Sequence, residues 1–215
     1  MVLHKPVSLA DQIFDRLETD ILTEKYPKGT ILTEVGLSEE LGVSRTPVRE
    51  ALSRLEQEHI IENAGKGVRV IGISEEDIHV VYEIREKIEG MAAAACAKNC
   101  TDEDIAELRE IVELQEFYAD KKDAEQVKAY DNRFHEKIYH FSRSPILYDV
   151  LIPLHRKVQK VRKISIQNTG RAHASAEEHR RIMEAIAAHD PVAAEKAMIV
   201  HVLFSRNHIL SILKV

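Results

Sequence analysis

One pattern near the start of the chain leaves little conformational freedom. A short amphipathic run, Glu34 to Leu41, stops at Gly42, and a second run begins at Ser44. Glycine is a natural helix stop because it enters the left-handed region without a Cβ penalty. Ser44 offers a hydroxyl as an N-cap, and Pro47 falls in the first turn, where a missing N–H is harmless. Val48, Leu52 and Leu55 then recur at helical spacing and mark a buried side. The spacing therefore predicts two helices joined by a turn of about three residues. Downstream, Ile60-Ile61-Glu62-Asn63 and Val68-Arg69-Val70-Ile71 read as two β-like runs around the tip Ala64-Gly65-Lys66-Gly67. Upstream, Ser8 to Glu24 places Ile13, Leu17 and Ile21 on one face beside Phe14 and Leu22, with Ser8 as N-cap, before Tyr26-Pro27-Lys28-Gly29 breaks the chain. A helical hairpin alone fits an ordinary all-α core. The added wing, and the polar character of the third helix outside its apolar stripe, point to duplex DNA.

From Ser74 onward the pattern changes to long amphipathic helices. Ser74 to Lys98, Asp102 to Tyr118, Asp123 to Phe141, Ile146 to about Gln167, Ala172 to Ala188 and Pro191 to Leu213 are separated by Thr101, Ser144-Pro145, Asn168-Thr169-Gly170 and Asp190-Pro191. The expected fold is mainly α, with a winged helix-turn-helix over residues 1–73 and an all-α helical bundle over residues 74–215. No apolar run approaches the roughly 20 residues of a membrane span, and the opening lacks the layout of a secretory signal, so the cytoplasm is the expected compartment. Cys96 and Cys100 lie four apart in a predicted helix, a spacing that can bind metal or sense oxidation, but they read as structural thiols because no second pair completes a zinc site. The formal charge of −6 does not advertise a nucleic-acid binder. What matters is a local basic surface that displaces counterions, and Asp11, Asp15, Glu18 and Asp20 can face away from the duplex.

At the start of the third helix, Ser44-Arg45-Thr46-Pro47-Val48-Arg49 places two guanidiniums and two hydroxyls within about two turns. Arginine can make a bidentate contact to the O6/N7 edge of guanine, and a helix N-terminus offers N–H groups to phosphate. Arg45, Thr46 and Arg49, with Ser44, are the expected operator contacts. Arg54 could reach the DNA backbone from further along. In the wing, Lys66 and Gly67 can touch a groove or a phosphate, although Lys66 reads equally well as a solvated charge at a loop tip.

The stretch LTEVGLSEELGVSRTPVREALSRLEQEHII followed by GKGVRVI resembles the winged helix of the GntR family of bacterial regulators. The resemblance implies operator contacts from Arg45, Arg49 and Gly67. Gly36-Leu37-Ser38 departs from the family's apolar-Ala pair, and Lys28 stands where a second proline is frequent; neither removes a DNA contact.

In the helical segment, Asp131 and His135 are four apart and share one helix face, so they can grip one ion. Tyr130-Asp131-Asn132-Arg133-Phe134-His135, the run Glu178 to Ile186, and Asp190 to Met198 leading to His201 are similar to the FCD ligand-binding domain of the FadR-like GntR subfamily. That similarity implies a divalent metal held by Asp131, His135, His179 and His201, a borderline ligand set suited to Zn²⁺, Ni²⁺ or Mn²⁺. It also implies a carboxylate effector paired with Arg85, for which a structural salt bridge to Glu89 is the competing role. Ser142-Arg143-Ser144-Pro145 departs from the Gly-Asn that the family often shows there. The resulting expectation is a homodimeric transcription regulator, mostly a repressor, binding operator double-stranded DNA and a small organic acid. A metal-dependent hydrolytic enzyme using the Asp/His set, and a dimeric DNA-binding protein with no effector, are the alternatives.

Overall fold

The structure is a computed structural model that describes residues 8–72, 74–163 and 170–212. The helix end expected near Gln167, the break at Asn168 and Thr169, and the end at Leu213 lie outside the described residues. The chain divides into two compact units, Met1–Ser74 and Glu75–Val215.

The first unit contains α1 (Leu9–Leu22), β1 (Ile31–Leu32), α2 (Glu34–Leu41), α3 (Arg45–Gln57), β2 (Ile61–Asn63) and β3 (Val68–Val70). Ser8 opens α1 with a reciprocal capping box to Asp11. Gly42 closes α2 at φ +65°, in the left-handed region. Ser44 does stand at the N-cap of α3, yet its side chain makes no capping hydrogen bond, contrary to expectation. The apolar stripe anticipated from spacing forms one core: Ile13, Phe14, Leu17 and Ile21 of α1 pack with Leu37, Val48, Ala51, Leu52 and Leu55, and with Ile60, Ile61 and Val70.

The wing is a three-stranded antiparallel sheet in the order β1-β3-β2, not the two-stranded hairpin read from sequence. The added strand is two residues long, too short to show alternation, and pairs Ile31 with Arg69 and Leu32 with Val68. This pairing explains Gly67: a Cβ there would sit 2.3 Å from the Leu32 carbonyl oxygen, so only glycine lets the turn lie against β1.

The second unit contains α4 (Glu75–Asn99), α5 (Asp102–Asp120), α6 (Ala124–Phe141), α7 (Pro145–Lys163), α8 (Gly170–Ala187) and α9 (Pro191–Ile212). α4 runs along α9 and also touches α6, α7 and α8, while α5 packs on α6 and α8. Gly90 allows the close approach of α4 to α9, since a Cβ there would meet Ile199 Cγ1 at 3.1 Å and Glu195 Cγ at 3.2 Å. Local chemistry ends and restarts the helices. Thr101 and Asp104 form a capping box, and Asp190 Oδ1 accepts from the backbone N–H groups of Val192 and Ala193. At the departure from Gly-Asn, Arg143 itself takes φ +58°. Its guanidinium donates to Asp104 and lies over the Phe141 ring, which holds a side chain where glycine or asparagine is usual.

Candidate DNA-binding face and metal centre

Arg45 and Arg49 project from the first turns of α3 with side chains 59% and 63% exposed, so both are open to a ligand. They share a groove with Lys66 and Gly67 of the wing, lined on its other side by Thr33, Glu34 and Val35. Within it Glu34, the first residue of α2, binds both arginines: Arg49 Nε donates to Oε1 at 2.7 Å, Arg49 Nη2 to Oε2 at 2.8 Å, and Arg45 Nη2 to Oε2 at 3.0 Å. Hydrogen bonds from Arg49 and then Arg45 hold the Glu34 carboxyl down at about 2. Glu34 was not singled out from sequence, where it reads as an ordinary acidic first turn.

Arg54 does not join this face. It donates to Asp11 and stacks its guanidinium 4.0 Å from the Phe14 ring centre, pinning α3 to α1. Of the four acids expected to face away from DNA, Glu18 and Asp20 are in fact buried; Arg16 and Lys25 both donate to Asp20.

In the helical unit three of the four expected ligands converge. His135 of α6, His179 of α8 and His201 of α9 are fully buried, and one ligand atom from each lies within 4.8 Å of the others. The Nε2 atoms of His135 and His201 are 3.2 Å apart. Asp131, one turn before His135, stands beside this group: its Oδ1 is 3.8 Å from His179 Nε2 and accepts from Ser175 Oγ at 3.2 Å.

The Nδ1 side of each imidazole faces a polar oxygen. His179 Nδ1 meets Gln115 Oε1 at 2.7 Å, His201 Nδ1 meets Glu178 Oε2 at 2.7 Å, and His135 Nδ1 lies 3.1 Å from Glu89 Oε2. The Gln115 and Glu178 oxygens only accept, so Nδ1 of His179 and of His201 carries the proton and the Nε2 atom of each presents a lone pair inward, whereas His135 Nδ1 faces Glu89 Oε2 without a hydrogen bond. Glu178 is itself gripped by both Arg171 terminal nitrogens at 2.6 Å. Three converging imidazoles, two of them oriented by an acceptor at Nδ1, are a donor set that a borderline divalent metal takes.

Arg85 is completely buried on α4, with its Nε donating to Glu89 Oε1 at 2.5 Å and its guanidinium 4.8 Å from the Tyr82 ring centre. The salt bridge to Glu89 therefore exists. It occupies one edge only, since Nη1 and Nη2 have no hydrogen-bond partner among the described residues. Burial opposes the charge on Arg85, but the Glu89 carboxylate, with Tyr82 and Tyr139, outweighs it and raises the pKa.

Residues 9–70 match the bacterial regulatory proteins of the gntR family, and residues 80–204 match the FCD domain. The chain is 34% identical to the HTH-type transcriptional regulator McbR of Escherichia coli strain K12 over 148 residues, covering 68% of this chain and 67% of McbR. The solved structure of E. coli McbR/YncC superposes with a TM-score of 0.71 at 26% identity, covering 96% of this chain and 99% of that one. The HTH-type transcriptional regulator YdhC of Bacillus subtilis strain 168 is 25% identical over 99% of this chain and 96% of its own length. A relative from Paenarthrobacter nicotinovorans, a probable D-xylose utilization operon transcriptional repressor, is 29% identical over 91% of this chain and 86% of its own length. The curated relatives are named as transcriptional regulators or repressors. The two matches, one over the winged unit and one over the helical unit, make this chain a member of the GntR family with an FCD domain: a DNA-binding transcriptional regulator.

Proposed function

We propose that this regulator senses a small carboxylate in its helical unit, through a metal-containing pocket, and in response changes its grip on operator DNA as a homodimer. The convergence of the His135, His179 and His201 imidazoles, with those of His179 and His201 fixed through Nδ1, carries this reading. These three histidines, with Asp131 beside them, would hold a divalent transition metal, Zn²⁺, Ni²⁺ or Mn²⁺. Such an ion supplies fixed positive charge and open positions for a carboxylate. The unpartnered fork of Arg85 supports an anionic effector, because a buried guanidinium without acceptors is costly. An effector that prefers one DNA affinity state shifts that affinity, and operator shifts effector affinity equally.

Apolar side chains left 38–54% exposed on α4 (Val80, Ile84, Met91) and α9 (Val200, Phe204) support self-association. A twofold dimer reads two related half-sites. Relatives named as repressors support repression over activation. As a regulator of DNA, the chain works in the cytoplasm; among the described residues no helix is long and apolar enough to cross a membrane.

The reading is tested by selecting duplexes from a random pool with the purified protein, then measuring their affinity by fluorescence anisotropy. Enriched duplexes should carry two half-sites related by a twofold axis, and Arg49→Ala should weaken binding to them by about 10- to 100-fold. A pool that yields no enriched sequence, or an Arg49→Ala protein that binds the enriched duplex as well as wild type, contradicts it.

A further inference from the structure

Glu34 is an acid in the middle of the surface that is to meet phosphates. An exposed ion pair adds little to fold stability, so stability does not explain it. Its geometry is specific. Both carboxylate oxygens are engaged, one by Arg49 Nε and the other by Nη2 of Arg49 and of Arg45. On Arg49 this occupies the side-on edge and leaves Nη1, with the second N–H of Nη2, as an end-on fork. That fork is the one able to take two acceptors on a base edge.

Charge gives the arrangement its consequence. Two guanidiniums sharing one carboxylate carry a net of one positive charge instead of two, and the carboxylate repels an arriving phosphate. The O6 and N7 atoms of guanine are neutral acceptors and meet much weaker repulsion. A carboxylate here therefore lowers backbone attraction more than base recognition, and it spares the arginines the cost of ordering two long side chains on binding.

We propose that Glu34 is a specificity-determining residue of the DNA face, holding Arg45 and Arg49 with their free edges toward the bases while suppressing sequence-independent attachment to phosphates. The inference rests on the reading that Arg45 and Arg49 reach the duplex. It assigns Glu34 a positioning role, with no contact to DNA required.

The test is Glu34→Gln in the full-length protein, assayed by anisotropy on two probes: the duplex selected by wild type, and a random-sequence duplex of equal length. Affinity for the random duplex should rise about fivefold or more, and the preference for the selected duplex should fall about tenfold. The plot of log affinity against log salt for the random duplex should steepen by about one, reporting one more cation free to neutralise phosphate. Circular dichroism checks that the variant is folded. Glu34→Asp, which keeps the charge, supplies a second comparison: its random-duplex affinity should rise less than that of Glu34→Gln. Equal changes on both probes, an unaltered salt slope, or an aspartate variant that matches or exceeds the glutamine variant overturns the proposal. Arg49→Ala is run in parallel. If it leaves binding to the selected duplex intact, the arginine reading itself fails; if it abolishes the preference while Glu34→Gln acts equally on both probes, only the role of Glu34 fails.

Discussion

His135 and His201 bring their Nε2 atoms to 3.2 Å from each other in a fully buried site. At that separation one ring can donate an Nε2 proton to the other, and a divalent ion bound between them would take the place of that hydrogen bond. Ligand nitrogens at about 2.0–2.1 Å from a tetrahedral ion stand about 3.3–3.4 Å apart, close to the spacing observed.

The outer acceptors should matter nearly as much as the ligands. Gln115→Leu and Glu178→Leu each remove the partner that orients one imidazole, of His179 and His201 respectively. Each should lower metal affinity by about 10- to 100-fold, measured by competition with a chromophoric chelator. Affinity equal to wild type in both variants would show that the rings are held by packing alone.

Gly67 lies against β1 with no room for a methyl group. Gly67→Ala sets a Cβ 2.3 Å from a backbone oxygen, which cannot swing aside, and should destabilise the winged unit by about 1–3 kcal/mol in thermal or urea unfolding. Gly90→Ala meets only side-chain atoms of Ile199 and Glu195, at 3.1 and 3.2 Å, and should cost less. The reverse order would place the constraint elsewhere.

Glu34 should titrate far below its ordinary value of 4.5, with a midpoint near 2 set by Arg49 and then Arg45. A carboxyl depressed in the folded state contributes stability, small for a pair this exposed to solvent, that is fully present above about pH 4.5 and is lost as pH falls through about 2. Carboxyl carbon NMR should report that midpoint in wild type, and a midpoint moved up toward 4.5 in Arg49→Ala. An unmoved midpoint would break the link between the two residues.

Cys96 in the last turns of α4 and Cys100 just after its end are both buried, and burial pushes both thiols up. The reactive species is the thiolate, so neither should react quickly with a disulfide reagent near pH 8 until the chain unfolds. A rapid stoichiometric reaction of the native protein would contradict their structural role.

How far the sequence revealed these features depended on whether the signal was local. The stop at Gly42, the buried stripe of α3 and the shared face of Asp131 and His135 follow from spacing within one element. The strand Ile31–Leu32 escaped notice because two residues show no period, and its partner is more than thirty positions away. His179 and His201 made only a modest case as residue types on later helices, and family resemblance supplied the link to Asp131 and His135, since one histidine on a helix carries no message about a neighbour on another. Glu89, Gln115 and Glu178 left no comparable trace. Glu89 read as the i, i+4 partner of Arg85, which it is, but its second oxygen faces His135 and only tertiary packing of α4 on α6 shows that. Arg54, equally basic in sequence, turned inward to Asp11 because the acid stands on α1, across the core.

The metal content of the protein, purified without added metal and measured by elemental analysis beside His135→Ala, tests the sensor claim most directly. The account predicts close to one transition-metal ion per chain in wild type, or after reconstitution with Zn²⁺, Ni²⁺ or Mn²⁺, and its loss in the variant. Metal absent from wild type even after reconstitution, or retained in full by His135→Ala, would contradict it.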